Sequence, residues 1–269
     1  MKISIVLSTH TASFEAVVFK KDFETNVARI AALGYDGVEL AVPDPSLVDR
    51  QRVKATLDVH GLELPAIGTG QAYSEEGISF TDPDPRIRQQ AVRRIKDQIN
   101  FARSFEALVV IGLIRGRVQE GVEREQALTW LVEALGECAA FAVGHCIRLV
   151  LEPINRYETD LVNTVAEGLD LLDQVGAANI GLLLDTFHMN IEEPSIEESL
   201  RAAGDRLFHI HTADSNRWAP GYGHIDFTTV VATLRGMGYK GWLSAEILPL
   251  PDPKTAAGEA IAHLRRIRG

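Results

Sequence analysis

The chain of 269 residues is 46% hydrophobic and 24% charged, the composition of a soluble globular protein long enough to bury a large core. Its net charge is −10 and its Lys and Arg residues are scattered, which excludes the cationic surface that a nucleic-acid partner requires. Two cysteines, Cys138 and Cys146, fit neither metal-ligand spacing nor a disulfide framework and point to a reducing cytoplasm.

The opening MKISIVLSTH holds an apolar run only from Ile3 to Leu7, with a serine inside it. That is too short for a signal-peptide core or a membrane span, so no membrane association is expected and the run reads as a first strand. A helical pattern, FETNVARIAALG (23–34), follows it. Then come strands GVEL (37–40) and LPAIG (64–68), a helix in RIRQQAVRRIKDQINFARSF (86–105), strand LVVIG (108–112) and a helix in REQALTWLVEALGECAAFAVG (124–144). Gly34 and Gly144 stand where helix C-caps are expected. The remaining strands are RLVLEP (148–153), IGLLLD (180–185), LFHIHT (207–212) and WLSAEI (242–247). Runs of continuous apolarity suit parallel strands covered on both faces.

No Ser/Gly-rich or charge-block linker interrupts residues 1–269, so one domain is expected. Eight alternations of strand and helix in a chain of this size predict an α/β fold of the (β/α)₈ TIM-barrel type. The alternative is an open doubly wound sheet, but the glycine fingerprint of a dinucleotide site is missing after the first strand.

The fifth strand ends at Glu152, the sixth at Asp185, the seventh at His211 and the eighth at Glu246. Successive members of this set are about one βα unit apart, which puts them side by side on the C-terminal rim where barrel active sites are built. Each alone is accounted for by a helix cap or a turn. Together, three carboxylates on one rim repel one another unless a cation sits among them. Three carboxylates and one imidazole make an oxygen-rich donor set that suits Mn²⁺, with Co²⁺ or Mg²⁺ as substitutes, better than thiolate-held Zn²⁺. Such an ion acidifies a C–H bond beside a sugar carbonyl.

The segments LEPINRYETD (151–160), LLLDTFHMNIEE (182–193), HIHTADSNRWAPGYGHIDF (209–227) and SAEILPLP (244–251) resemble the ketose 3-epimerases. These are the D-tagatose, D-psicose (allulose) and L-ribulose 3-epimerase group of the xylose-isomerase-like TIM barrels. The resemblance implies that Glu152, Asp185, His211 and Glu246 bind the metal and that Glu152 and Glu246 are also the acid/base pair. It further implies that Glu158, His188 and Arg217 hold the substrate. The activity so implied is epimerisation of a free ketohexose or ketopentose at C3, for example D-allulose/D-fructose, D-tagatose or L-ribulose, through a cis-enediolate.

On the residues alone, Glu158 reads as a loop carboxylate, His188 as a loop histidine near Asp185, and Arg217 as a cation beside the Trp218 indole. His209 shares its strand face with His211 and is expected to fill the barrel interior rather than ligate. The sequence departs from the family at the distal end of the pocket. There STHTASFEAVVF offers only Phe14 before Phe19, and GTGQAY forms a small rim. Arg115 and Arg117 are candidates for a phosphorylated end, with loop or interface cations as the alternative. Helical faces rich in Ala, Leu and Val predict a homodimer or homotetramer.

Rival activities on this fold are aldose–ketose isomerisation, sugar-phosphate isomerisation or epimerisation, and dehydration of the inosose type. An abasic-site endonuclease would need more histidine ligands and a basic face than eight His and a charge of −10 provide. A non-catalytic binding module leaves the four-strand ligand set unexplained.

Overall fold

Eight parallel strands close on themselves in the computed structural model, which describes residues 1–69 and 71–268. They are β1 (Lys2–Ser8), β2 (Gly37–Ala41), β3 (Ala66–Gly68), β4 (Leu108–Ile111), β5 (Leu149–Leu151), β6 (Ile180–Asp185), β7 (Leu207–His211) and β8 (Trp242–Ala245). Each pairs with the next, and β8 returns to β1 with Ile3 opposite Leu243 and Ile5 opposite Ala245. The expected (β/α)₈ barrel is therefore the observed one. A two-residue strand, Phe19–Lys20, adds to β1 beyond the eight. It ties down the loop that carries Phe14, and Lys20 Nζ donates to the carbonyls of Ala12 and Phe14 at 2.9 and 2.6 Å.

The helices of the outer ring follow their strands: α1 (Phe23–Leu33), α2 (Arg50–His60), the short α3 (Gln71–Glu76), α4 (Pro85–Ala102) and α5 (Arg124–Val143). Then come α6 (Val165–Val175), α7 (Thr186–Glu192), α8 (Ile196–Ala203), α9 (Phe227–Gly236) and α10 (Pro253–Arg268). Local chemistry sets several starts: the side chains of Asp49, Asp84, Ser195 and Asp226 accept backbone N–H groups of the first turn, and Thr164 and Glu167 form a reciprocal capping box. Gly34 ends α1 in the left-handed region, as expected. Gly144 does not: its φ is −63°, still helical, and the left-handed turn falls on Cys146 at φ 57°.

Alternation along the strands divides the core in two. Ile3, Ile5, Leu7, Val109, Ile111, Leu182, Leu184 and Leu243 pack outward under the helices, whereas Ala66, Leu108, Val110, Val150 and Leu183 pack inside the barrel. Both faces being covered is why the strands read as unbroken apolar runs. Helix α5 has the length and apolarity of a membrane span, but it lies in the ring against α4 and α6.

Candidate active site

The barrel register delivers the four rim residues at one level. Asp185 is the last residue of β6 and stands directly opposite His211, the last of β7. Glu152 follows β5, its N–H donating to the Ile111 carbonyl at 3.2 Å, and Glu246 follows β8. One ligand atom from each of Glu152, Asp185, His211 and Glu246 lies within 4.8 Å of the others. His211 Nδ1 stands 3.7 Å from Glu152 Oε1 and 3.8 Å from Glu246 Oε2.

Asp185 serves two ends at once. Its Oδ1 caps α7 by accepting the Phe187 N–H at 2.8 Å, while its buried Oδ2 has no hydrogen-bond partner among the described residues. Glu152 Oε1 and His211 Nδ1 are likewise buried and unpartnered. Three orphaned ligand atoms converging on one point, in a place where unpaired polar groups are costly, fit a divalent cation. The charge balance fits too, since Glu152, Asp185, Glu158 and Glu246 gather around Arg217, with Arg115 also near Glu152 and Glu158.

The electrostatics carry the same signature. Burial, then the charge of Glu246, pushes the Glu152 carboxyl up to about 8. Burial also raises Asp185 and Glu246, against the opposing pull of His211 and Arg217. Burial disfavours a charged His211, but Glu39, Glu246 and Glu152 outweigh it and hold the imidazole well above its ordinary range. Burial first, and crowding by neighbouring carboxylates second, thus disfavours the ionised carboxyls here, a cost that a bound cation would offset.

Beside the cluster, His188 lies in α7 rather than in a loop, with its pKa pushed down by burial and then by Arg217 and Arg115. Its Nδ1 is 2.7 Å from Asn155 Nδ2, which also donates to Glu158 Oε1 at 2.9 Å. Asn155, 1% exposed, was not singled out by sequence reasoning; its polar loop carried no distinguishing signal. Arg217 Nη1 donates to Glu158 Oε1 and Nη2 to Glu246 Oε2, both at 3.1 Å. Its guanidinium lies between the rings of Phe14 and Phe187, 5.0 and 4.8 Å from their centroids. The expected partner, Trp218, packs instead with Tyr222. Arg217 has φ 61°, a left-handed conformation held by its N–H to the Asp214 carbonyl and by the Leu248 N–H to its own carbonyl, each 2.8 Å.

The cavity above the cluster has a volume of ≈ 190 Å³. Beyond the rim residues, Val6, Phe14, Gly68, Thr69, Gln71 and Leu113 are among those that line it. Phe14, the aromatic that the sequence offered, thus lines the cavity and packs on Arg217; Gly70 of the GTGQAY rim lies outside the described residues. Arg115 does not line the cavity. It is fully buried, its Nη1 donating to the carbonyls of Glu152 and Val162, so neither the phosphate reading nor that of a loop or interface cation describes it. Arg117 is exposed.

His209 fills the barrel interior as expected, but with a partner that sequence reasoning missed. Glu39, in the middle of β2 and 2% exposed, bridges His209 and His211. The signal was a lone carboxylate inside the apolar run GVEL.

A family model described as a xylose isomerase-like TIM barrel matches residues 27–267. An L-ribulose 3-epimerase from Methylomonas sp. (strain DH-1) is 34% identical over 237 residues, covering 85% of this chain and 80% of that protein. A D-psicose 3-epimerase from Ruminiclostridium cellulolyticum is 33% identical over 230 residues, covering 83% and 77%. The crystal structure of a D-psicose 3-epimerase from Clostridium cellulolyticum H10 with D-tagatose superposes with a TM-score of 0.86 at 27% identity, covering 100% of this chain and 99% of that one.

Proposed function

Because the chain belongs to the xylose isomerase-like TIM barrel family, with ketose 3-epimerases among its relatives, we propose that it is a metal-dependent ketose 3-epimerase whose site residues are those gathered on the barrel rim. The observation that carries this reading is the position of His211 Nδ1, 3.7 Å from Glu152 and 3.8 Å from Glu246, so that two carboxylates flank one ligand set.

Glu152, Asp185, His211 and Glu246 would hold the cation, with Mn²⁺ the favoured ion and Co²⁺ or Mg²⁺ able to replace it. When bound, the ion supplies Lewis acidity that lowers the cost of removing a proton beside the ketose carbonyl. Glu152 and Glu246 are the acid/base pair, one taking the C3 proton and the other returning a proton to the opposite face. Arg217 steadies Glu246 and Glu158, and Glu158 and His188 with Arg217 hold the carbonyl end of the sugar. Apart from the rim residues, the cavity lining presents apolar and small polar groups, and its only guanidinium or ammonium among the described residues is Arg217, which suits an unphosphorylated ketose such as D-allulose, D-tagatose or L-ribulose.

The remaining proposals are coarser. Residues 1–269 form one domain, the protein is cytoplasmic, and it assembles as a homodimer or homotetramer. The test of function is an assay of the Mn²⁺-loaded protein against free and phosphorylated ketoses, with products separated by chromatography. A C3 epimer supports the reading, and an aldose product replaces it with an isomerase.

A further inference from the structure

Glu39 enters the barrel interior from β2 and lies beneath the rim cluster. Its Oε2 is 2.9 Å from His209 Nε2, and its Oε1 is 2.9 Å from His211 Nε2. Both histidines are buried, as is Glu39. An ionised carboxylate has only acceptors to offer, so each imidazole must present Nε2–H to it. A neutral imidazole protonated on Nε2 keeps its lone pair on Nδ1. In His211 that nitrogen is the unpartnered atom facing Glu152 and Glu246.

We propose that Glu39 is a positioning residue that fixes the tautomer and ring orientation of His211, so that His211 meets the cation through Nδ1, and that His209 holds Glu39 in place by occupying its second oxygen. The inference rests on the metal reading given above. A purely structural role is a poor account of Glu39. The interior around it is built from side chains such as Val110 and Leu183, and an apolar residue there would avoid the desolvation that a buried carboxylate suffers. Hydrogen bonding to the far nitrogen of a ligating histidine raises its basicity and locks its aim, which accounts for the burial of charge. Among the described residues His209 Nδ1 has no partner of its own, so the hydrogen bond the ring makes there is the one to Glu39, as a clamp requires.

The test is calorimetric titration of Mn²⁺ into the metal-free protein and its Glu39→Gln variant, with circular dichroism to verify folding. The two Nε2–H groups sit on different oxygens of Glu39, and the amide sets an NH₂ donor in place of one of them. Glu39→Gln is therefore expected to weaken Mn²⁺ binding by about 10- to 100-fold, the usual effect of losing such a partner. A folded variant with unchanged affinity overturns the proposal. A second measurement needs no variant: ¹⁵N NMR of the histidine rings in the Mg²⁺-loaded protein, where His209 and His211 are expected to carry their protons on Nε2. A proton on Nδ1 of His211 in that state overturns the proposal as well. If the unaltered protein binds no divalent cation, the metal reading falls and this one with it. If it binds but Glu39→Gln binds equally, only the role of Glu39 is lost.

Discussion

Arg217 donates from Nη2 to Glu246 Oε2 at 3.1 Å, so the carboxylate that follows the last strand is steadied by a guanidinium that a separate loop delivers. The same guanidinium is packed between two phenylalanine rings, and Nη1 reaches Glu158. A planar fork is needed for that geometry, because two carboxylates are served from one side chain.

Replacing Arg217 is the direct test of this arrangement. A hydrogen bond to a charged group contributes about 1.5–3 kcal/mol, so Arg217→Ala is expected to lower kcat/KM by roughly ten- to a hundredfold. Arg217→Lys keeps the charge without the fork and should recover only part of the loss. Steady-state kinetics on a turned-over ketose decide it, and wild-type kcat/KM in Arg217→Ala rejects the assignment.

Removal of the metal should affect folding as well as turnover. A ligand that binds only the folded state stabilises it by about 2.7 kcal/mol at a hundred times its Kd, or roughly 5–10 °C in Tm for a chain of this size. Chelation is expected to abolish activity and lower Tm by about that amount. Asp185→Asn and His211→Ala should each lose metal affinity, read by calorimetry. Full activity in the presence of chelator contradicts a metal-dependent reaction, and wild-type affinity in either variant removes that residue from the ligand set.

The pH dependence of metal binding follows from the crowded carboxylates. Glu152 is raised by burial and by Glu246 to about 8, and Asp185 and Glu246 are raised as well, whereas unfolded carboxyls titrate near about 4. Between these limits the metal-free folded protein binds more protons than the unfolded chain, so its stability falls as pH rises. His211, with a raised pKa, acts in the same direction, since its contribution is present while it is charged and lost above its folded pKa. A cation replaces those protons, so binding should release protons and tighten with pH. The Tm gain from Mn²⁺ is expected to be larger near about pH 8 than near about pH 6. A gain that shrinks over that interval contradicts the linkage.

The barrel and its four rim residues were legible in the sequence for one reason. A parallel strand buried on both faces is apolar throughout, so a carboxylate or histidine at its end stands out against the run, as at Glu152, Asp185, His211 and Glu246. Contacts across the barrel leave no such mark. Nothing in GVEL says that Glu39 meets a strand far along the chain, and Arg217 chooses Phe14 and Phe187 over its sequence neighbour Trp218 because loop geometry, not adjacency, decides stacking. Arg115 read either as a candidate for a phosphorylated end or as a loop or interface cation, because a loop cation looks exposed in sequence. The fold instead turns it inward onto the carbonyls of Glu152 and Val162.

That inward turn bears on substrate choice. With Arg115 held on backbone carbonyls and absent from the cavity lining, unphosphorylated ketoses are expected to be turned over, and Arg115→Ala is expected to act first on stability by stranding those carbonyls. Removing one partner of a buried hydrogen bond costs about 1–3 kcal/mol, a fall of roughly 2–12 °C in Tm. Thermal unfolding and a ketose panel measure both. Exclusive turnover of sugar phosphates, lost in Arg115→Ala at unchanged Tm, is the contrary result.

The chemistry itself is tested at the two glutamates. Inverting a stereocentre requires a proton to leave one face and another to arrive on the opposite face, which one base cannot readily accomplish. Glu152 and Glu246 follow β5 and β8 and stand 3.7 and 3.8 Å from His211 Nδ1, and the proposed reaction needs one of them on each side of C3 of a ketose bound above the cluster. Glu152 keeps Oε1 free of any hydrogen-bond partner among the described residues, and Arg217 keeps Glu246 oriented for the complementary transfer. Roles exchange in the reverse direction, so neither glutamate is dispensable in either. Glu152→Gln and Glu246→Gln are each expected to cut turnover by at least about a hundredfold, the lower end of what general acid–base catalysis supplies. Run in D₂O, the reaction should place deuterium at C3 of the product, because the returning proton comes from a carboxyl that exchanges with solvent. Label at C1 or C2 with an aldose as product would instead identify proton transfer between adjacent carbons, and the epimerase reading would give way to an isomerase.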